Sequence, residues 1–414
     1  MLTALLVGVL GANAGASEVF AKYADRVVQV RVLGTSTGSR ASIGSGFFVA
    51  ADGLLVTNFH VVATYVWRPT AYRVEVGQRD DEARAAQVLD VDPVHDLAVL
   101  RVDGTAPAHF ALSPGEPARG ATLYSLGNPR DVGLSIVEGT FNGHVDGQLV
   151  EQYHFSGSLN PGVSGGPALD AEGRVVGVNV ASMGNQLSFL VPVGDVRALL
   201  DRVAAAGGKP VADLVARVQQ ATLAHQDAVA QELLAGPLPT TALGAWQVPG
   251  RWTKRLKEWG GPLNEDDPED LFAVTGYDLR SNFSTYLRDD ELTGAVRMRH
   301  RLYEPRGIGA LQLYRRAGSS FSRTTTETDG DAEDFHTSWK CRTRVLEHRG
   351  TRLRAAVCLR AYRKLPGLYD LAARAMTFDS RAATVTSSFE LYGFSAKNAQ
   401  ALVERYLEGF SWTP

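Results

Sequence analysis

Asn160-Pro161-Gly162-Val163-Ser164-Gly165-Gly166-Pro167-Ala168-Leu169 is the stretch on which the reading of this chain turns. Glycines on both sides of Ser164 let the backbone bend tightly and leave the hydroxyl exposed. They also let the N–H groups of Gly162 and Ser164 point at one spot, where two donors can hold a developing oxyanion. A glycine-rich turn has the same composition without any chemistry. The serine becomes informative only with a base beside it and an acid to orient that base.

Both lie upstream. Gly44-Ser45-Gly46-Phe47-Phe48-Val49 is followed by Leu54-Leu55-Val56-Thr57-Asn58-Phe59-His60-Val61-Val62, an apolar strand that delivers His60 at its end. Asp92-Pro93-Val94-His95-Asp96 leads directly into Leu97-Ala98-Val99-Leu100, which favours Asp96 over its rivals Asp90, Asp92 and Asp103. Alone, His60 reads as a structural histidine and Asp96 as a turn aspartate. Jointly they give the order His, Asp, Ser within one β-rich region.

From Val27 to about Arg197 short alternating runs are separated by glycine-rich turns: Val27–Val32, Gly46–Val49, Gly53–Thr57, Tyr72–Val76, Ala98–Val102, Thr122–Leu126, Leu134–Phe141, Arg174–Val180 and Ser188–Val191. Many short strands with few helical patterns indicate a sandwich or barrel. The Pro-, Gly- and Ala-rich stretch from Asp103 to Gly120 connects two halves.

These segments resemble the trypsin-like (chymotrypsin-fold) serine proteases, and in particular their HtrA/Deg branch. The resemblance rests on Thr57 to Val62, His95 to Leu100, Leu126-Gly127-Asn128-Pro129, Asn160 to Pro167, Gly173 to Asn179 and Phe189-Leu190-Val191-Pro192. It covers about residues 19–200. It implies an all-β protease domain of two six-stranded antiparallel β-barrels with His60, Asp96 and Ser164 at their junction, and an oxyanion hole from Gly162 and Ser164. In that scheme Thr57 supports the Asp96 carboxylate. Ser158 lies near the base of the specificity pocket, and Asn179, Val180 and Ala181 line its wall. With no Asp at Ser158, cleavage after Arg or Lys lacks its counter-charge, and a small or medium apolar residue is expected there. Val163 stands where the branch commonly has Asn and trypsins have Asp, so activation by a newly cut amine is not available. Ser156 replaces an Asp common in the branch. No PDZ domain is recognisable after residue 205.

The rest of the chain divides by composition. Residues 1–16 read as a signal peptide, with the apolar run Leu2–Leu10 before Ala12-Asn13-Ala14 and Ala14-Gly15-Ala16. The protease domain follows over 17–205. A helical linker spans 206–240, its helix running from Pro210 to Leu234. A separate α+β domain of unassigned role occupies 241–414 and closes on a helix capped by Ser395. Cys341 and Cys358 are the only two cysteines. If Arg349-Gly350 is a hairpin turn, counting outward pairs Glu347 with Arg352 and Cys341 with Cys358, so a cross-strand disulfide is expected. That agrees with export to the bacterial periplasm or outside the cell.

At 414 residues with a net charge of −3, bulk composition suggests neither a nucleic-acid partner nor an anionic membrane surface. No mature segment is long and apolar enough to span a bilayer, no cofactor is called for, and His95, His109, His144 and His154 show no metal spacing. Arg297–Arg301 and Arg342–Arg363 read as solvated sheet faces with cross-strand ion pairs, although they also suit an anionic ligand. The expected function is a serine endopeptidase acting on proteins or peptides. The alternative is a binding or chaperone-like scaffold on the same barrels. The order of the triad and the strands after Ser164 argue against an α/β-hydrolase esterase.

Overall fold

The computed structural model describes residues 15–78, 83–104, 108–128, 133–182, 186–264, 271–281, 285–288, 291–322 and 334–412. The signal-peptide reading of residues 1–16 falls almost wholly outside the described residues; Ala16 already opens a helix, Ala16–Tyr23. Among the described residues no helix is long and apolar enough to cross a membrane. The chain separates into two units, residues 1–145 with 151–212, and residues 146–150 with 213–414.

The first unit is built on two closed barrels of six strands each. Strands β1 (Val27–Gly34), β2 (Arg40–Phe48), β3 (Leu54–Thr57), β4 (Tyr72–Gly77), β5 (Arg84–Asp92) and β6 (Leu97–Val102) close in the order β1-β2-β3-β6-β5-β4. Strands β7 (Thr122–Gly127), β8 (Ser135–His144), β9 (Tyr153–Phe155), β10 (Pro167–Leu169), β11 (Val175–Ser182) and β12 (Ser188–Pro192) close as β10-β11-β12-β9-β8-β7. Every strand pair is antiparallel, and closure leaves no free sheet edge to template aggregation. One apolar cluster takes Phe47, Val56 and Val99 from the first barrel and Leu126, Leu169 and Val178 from the second, so the barrels share a core. Expected strands appear at their expected places. The chain adds β5, β9, β10 and a helix at Val193–Ala205 that alternation does not announce.

The second unit is a seven-stranded antiparallel sheet in the order 256–262, 272–281, 296–305, 384–395, 368–377, 351–361, 340–348. Helices Leu214–Leu234 and Ala396–Glu408 bury Val229, Leu233, Leu402 and Tyr406 against Met298, Phe389 and Leu391 of one sheet face. Helix Ala310–Ser322 packs Ala317 and Phe321 on Met376, which alternation places on the opposite face. The helix foreseen from Pro210 begins instead at Leu214. Val211 N–H is held by the Leu89 carbonyl at 2.8 Å, and Asp213 caps the first turn by accepting from Ala216 N–H. This helix sits in the core of the second unit, whereas composition read it as a linker. Ser395 caps the last helix as expected, accepting from Asn398 N–H.

Arg349 and Gly350 both have positive φ, 45° and 75°, the geometry of a two-residue hairpin turn. The register pairs Cys341 with Cys358, and they form a disulfide across strands whose Cα atoms are 4.0 Å apart. Glu347 lies opposite Arg352 as counted, but Arg352 forms its ion pair with Asp379 at 3.2 Å, a partner beyond a local cross-strand rule. The bridge closes a separation of 17 residues in sequence. Its reduction is therefore expected to cost the second unit roughly 3 kcal/mol, read as an earlier denaturant transition with reductant than without. Identical transitions would show the bridge to be idle.

Candidate active site

The acid–base pair is assembled by short local devices. β3 ends at Thr57, Asn58 turns the chain, and a helix, Phe59–Trp67, begins. His60 thus sits in a first helical turn, past the strand end at Thr57 rather than on the strand. Asp92 Oδ1 accepts from Val94 N–H and His95 N–H, each at 3.1 Å, and closes the turn that presents Asp96 at φ 54°. A non-glycine residue with that φ is uncommon, and aspartate is among the few that tolerate it. His95 reaches Asp92 Oδ2 at 3.0 Å. Burial lowers the His95 pKa, but the Asp92 hydrogen bond and the charges of Asp92 and Asp195 outweigh it, and the net shift is upward.

Asp96 holds His60 at two points. Its Oδ2 lies 2.7 Å from His60 Nδ1, and its Oδ1 accepts from His60 N–H at 2.8 Å. Asn58 Nδ2 donates to the Asp96 carbonyl at 2.7 Å, which pins the backbone as well. Thr57 does not support the Asp96 carboxylate. Its hydroxyl donates instead to the Ser45 carbonyl at 2.7 Å. His60 and Asp96 keep 27% and 18% side-chain exposure, enough for a substrate to reach the imidazole.

The Ser164 turn packs onto this segment. Gly165, at φ 85°, passes so close that an added Cβ would lie 2.4 Å from Thr57 Oγ1 and 2.2 Å from the Ser45 carbonyl. Asn160-Pro161-Gly162-Val163 forms a turn closed by Val163 N–H to the Asn160 carbonyl, with Gly162 at φ 101°. The N–H groups of Val163, Gly165 and Gly166 are all spent on backbone carbonyls; those of Gly162 and Ser164 take no such bond among the described residues. The Ser164 hydroxyl donates to the Val180 carbonyl at 3.3 Å. A register shift between Asn179 and Ala181 turns that carbonyl out of the β11–β12 ladder.

Two residues emerge here that the sequence did not mark. Ser45 Oγ donates to the Gly162 carbonyl at 2.7 Å and accepts from Asn128 N–H at 2.8 Å, while Ser45 N–H donates to the Ser164 carbonyl at 2.7 Å. One fully buried residue of the first barrel therefore sets the turn of the second. Asn58 is the other. The signal available was Gly44-Ser45-Gly46, a polar residue inside an apolar strand. Val163 is buried with Leu123, Phe141, Phe155 and Leu190, so the turn is seated by apolar contact where a carboxylate would need an ionic partner.

Of the substrate-pocket residues, Ser158 accepts from Gln186 N–H at 3.2 Å, and Val180 faces Ser164 through its carbonyl. Asn179 is buried and directs Nδ2 to the Leu126 and Val163 carbonyls at 3.2 and 3.4 Å, which braces the turn from below. Ala181 pairs with Phe189 on β11. Ser156 Oγ accepts from Thr140 N–H at 2.9 Å.

Among the described residues, one group elsewhere has metal-ligand chemistry. Glu291, His336 and Asp370 of the second unit are buried with ligand atoms within 4.8 Å of one another. Asp370, however, already accepts from Arg360 Nε, Tyr362 OH and Gly393 N–H, with Arg360 Nη2 2.7 Å away. The set reads as a buried ion network.

Barrels, pair and serine turn define a class, and residues 44–178 match the family described as trypsin-like peptidase domain. Within the first unit these residues are similar to a trypsin-like peptidase domain, and the relatives they match are named as HtrA-type serine proteases. Mitochondrial serine protease HTRA2 of Bos taurus is 32% identical over 201 residues, covering 45% of this chain and 42% of that protein. Serine protease HTRA1B of Danio rerio is 28% identical over 307 residues, covering 68% of this chain and 60% of its own length. The chain thus spans about half the length of the curated relatives it matches. Among solved structures, Deg5 is 24% identical with TM-score 0.40, covering 45% of this chain and 92% of that one. The serine endoprotease from Yersinia pestis is 22% identical with TM-score 0.40, covering 47% and 69%.

Proposed function

We propose that this protein is a serine endopeptidase that cleaves proteins or peptides through an acyl-enzyme. The observation that carries the reading is the 2.7 Å His60–Asp96 pair packed beside a serine turn with two unspent N–H groups. Asp96 accepts from Nδ1–H, which leaves Nε2 of His60 as the basic atom. The Ser164 hydroxyl turns from the Val180 carbonyl to that nitrogen and attacks the scissile carbonyl as His60 takes its proton. The oxyanion is held by Gly162 and Ser164 N–H. His60 then protonates the leaving amine, and water repeats the sequence on the ester. Ser158 and the Val180–Ala181 wall receive a small or medium apolar side chain. The Cys341–Cys358 bridge supports export to an oxidising compartment.

A fluorophosphonate probe, which reacts only with an activated serine, tests the assembly. The parent is expected to be labelled and Ser164→Ala to stay blank. A parent that resists labelling under several conditions would favour the scaffold reading.

Ser45→Ala isolates the oxyanion side. It removes the donor to the Gly162 carbonyl but no group that touches substrate, so kcat should fall about 10- to 100-fold, less than the ~10²–10³ for losing an oxyanion donor outright. KM should hardly move. A change confined to KM would contradict a positioning role for Ser45.

A further inference from the structure

Strands Val296–Pro305, Thr384–Ser395 and Leu368–Thr377 lie side by side in the second unit. Their registers set Ser388 between Arg299 on one neighbour and Arg374 on the other, and Thr386 beside Arg301. Alternation sends His300 and Ser387 to the opposite, buried face, where His300 Nδ1 and Ser387 Oγ are 2.8 Å apart. The arginines therefore share one face with the two hydroxyls. Together with Phe321, at the end of helix Ala310–Ser322, they line a cavity of about 170 Å³.

The charges in this lining do not cancel. Arg301 is held by Asp278 at 3.0 Å and Arg374 by Glu390 at 2.9 Å. Arg299 is half-exposed and among the described residues pairs only with Glu390, at 3.9 Å, which Arg374 already occupies. Three guanidinium groups against two carboxylates leave one positive charge in excess. Thr386 and Ser388 both line the cavity, and among the described residues neither hydroxyl has a hydrogen-bond partner. A hydroxyl that opens onto a cavity beside an arginine cluster is a donor available to an anion's oxygen.

We propose that this cavity binds a phosphoryl group. Guanidinium and hydroxyl donors arriving from three adjacent strands suit a tetrahedral oxyanion, whose several oxygens can each take a separate bond; a carboxylate offers only two oxygens. The ion pairs to Asp278 and Glu390 fix two of the guanidinium groups before ligand arrives, which lowers the ordering cost of binding. The volume admits one phosphoryl group with a few attached atoms. The site is independent of the protease chemistry.

Calorimetric titration of the full chain with inorganic phosphate and with O-phosphoserine, at matched ionic strength in chloride, tests the proposal. Saturable binding is expected. Tighter binding of inorganic phosphate would identify a free anion as the ligand, and tighter binding of phosphoserine a phosphorylated molecule. Arg299→Ala and Thr386→Val should each weaken binding about tenfold or more. Both spare the fold, since Arg299 is half-exposed and valine matches threonine in shape. Arg344→Ala, on the exposed edge strand Lys340–His348, should bind like the parent. Failure of both ligands to bind, or parent-like binding by both cavity variants, would overturn the assignment.

Discussion

His60→Ala protein is expected to cleave casein on the order of 10⁶-fold more slowly than the parent, close to the loss from removing the nucleophile itself. Without the imidazole nothing accepts the Ser164 proton as the C–O bond forms, and nothing returns a proton to the departing amine. The fold should survive. The residues around position 60 that anchor its helix, Phe59, Val61 and Val62, are buried and untouched. Asp96 keeps its bond from the backbone N–H at position 60. A thermal transition matching the parent would confirm that, and undiminished cleavage would remove His60 from the mechanism.

Asp96→Asn is the second large effect, expected at about 10⁴-fold in kcat. The reason lies in which oxygen does what. Oδ1 receives the His60 backbone N–H, so the replacement amide must keep its carbonyl there. That turns its NH₂ toward Nδ1, which must then carry a lone pair. The ring adopts the other tautomer, with the hydrogen on Nε2, and can no longer take a proton from serine. Asparagine tolerates the positive φ at this position, so structure should be preserved while chemistry is lost. An Asn variant with activity within tenfold of the parent would deny Asp96 its orienting role.

The first unit was legible because its chemistry is written in local patterns. Gly162 to Gly166 encode a turn, Leu54–Thr57 a strand that leads toward a histidine, and Leu97–Leu100 a strand that follows an aspartate. What escaped is what depends on distant partners. Thr57 was assigned to Asp96 by proximity in a scheme, but side-chain direction at the strand end sends it to Ser45. Ser45 itself looked like a small residue between glycines, and its three partners lie 83 to 119 positions away. In β5 only the second half, Val88–Asp92, carries β-branched residues, and Arg84-Ala85-Ala86-Gln87 gives no strand signal. In the second unit, counting from one turn found the disulfide. The arginine cluster was beyond such counting, since it needs strand Val296–Pro305 to pair with Thr384–Ser395, far along the chain.

The bonds of Ser45 also govern how the protein fails. They join a strand of one barrel to the loop of the other. Mild urea or gentle heating that slides the halves apart by an ångström would disarrange the amides before any strand frays. Catalysis should then fade at denaturant concentrations where circular dichroism still reports a native protein, and return at once on dilution.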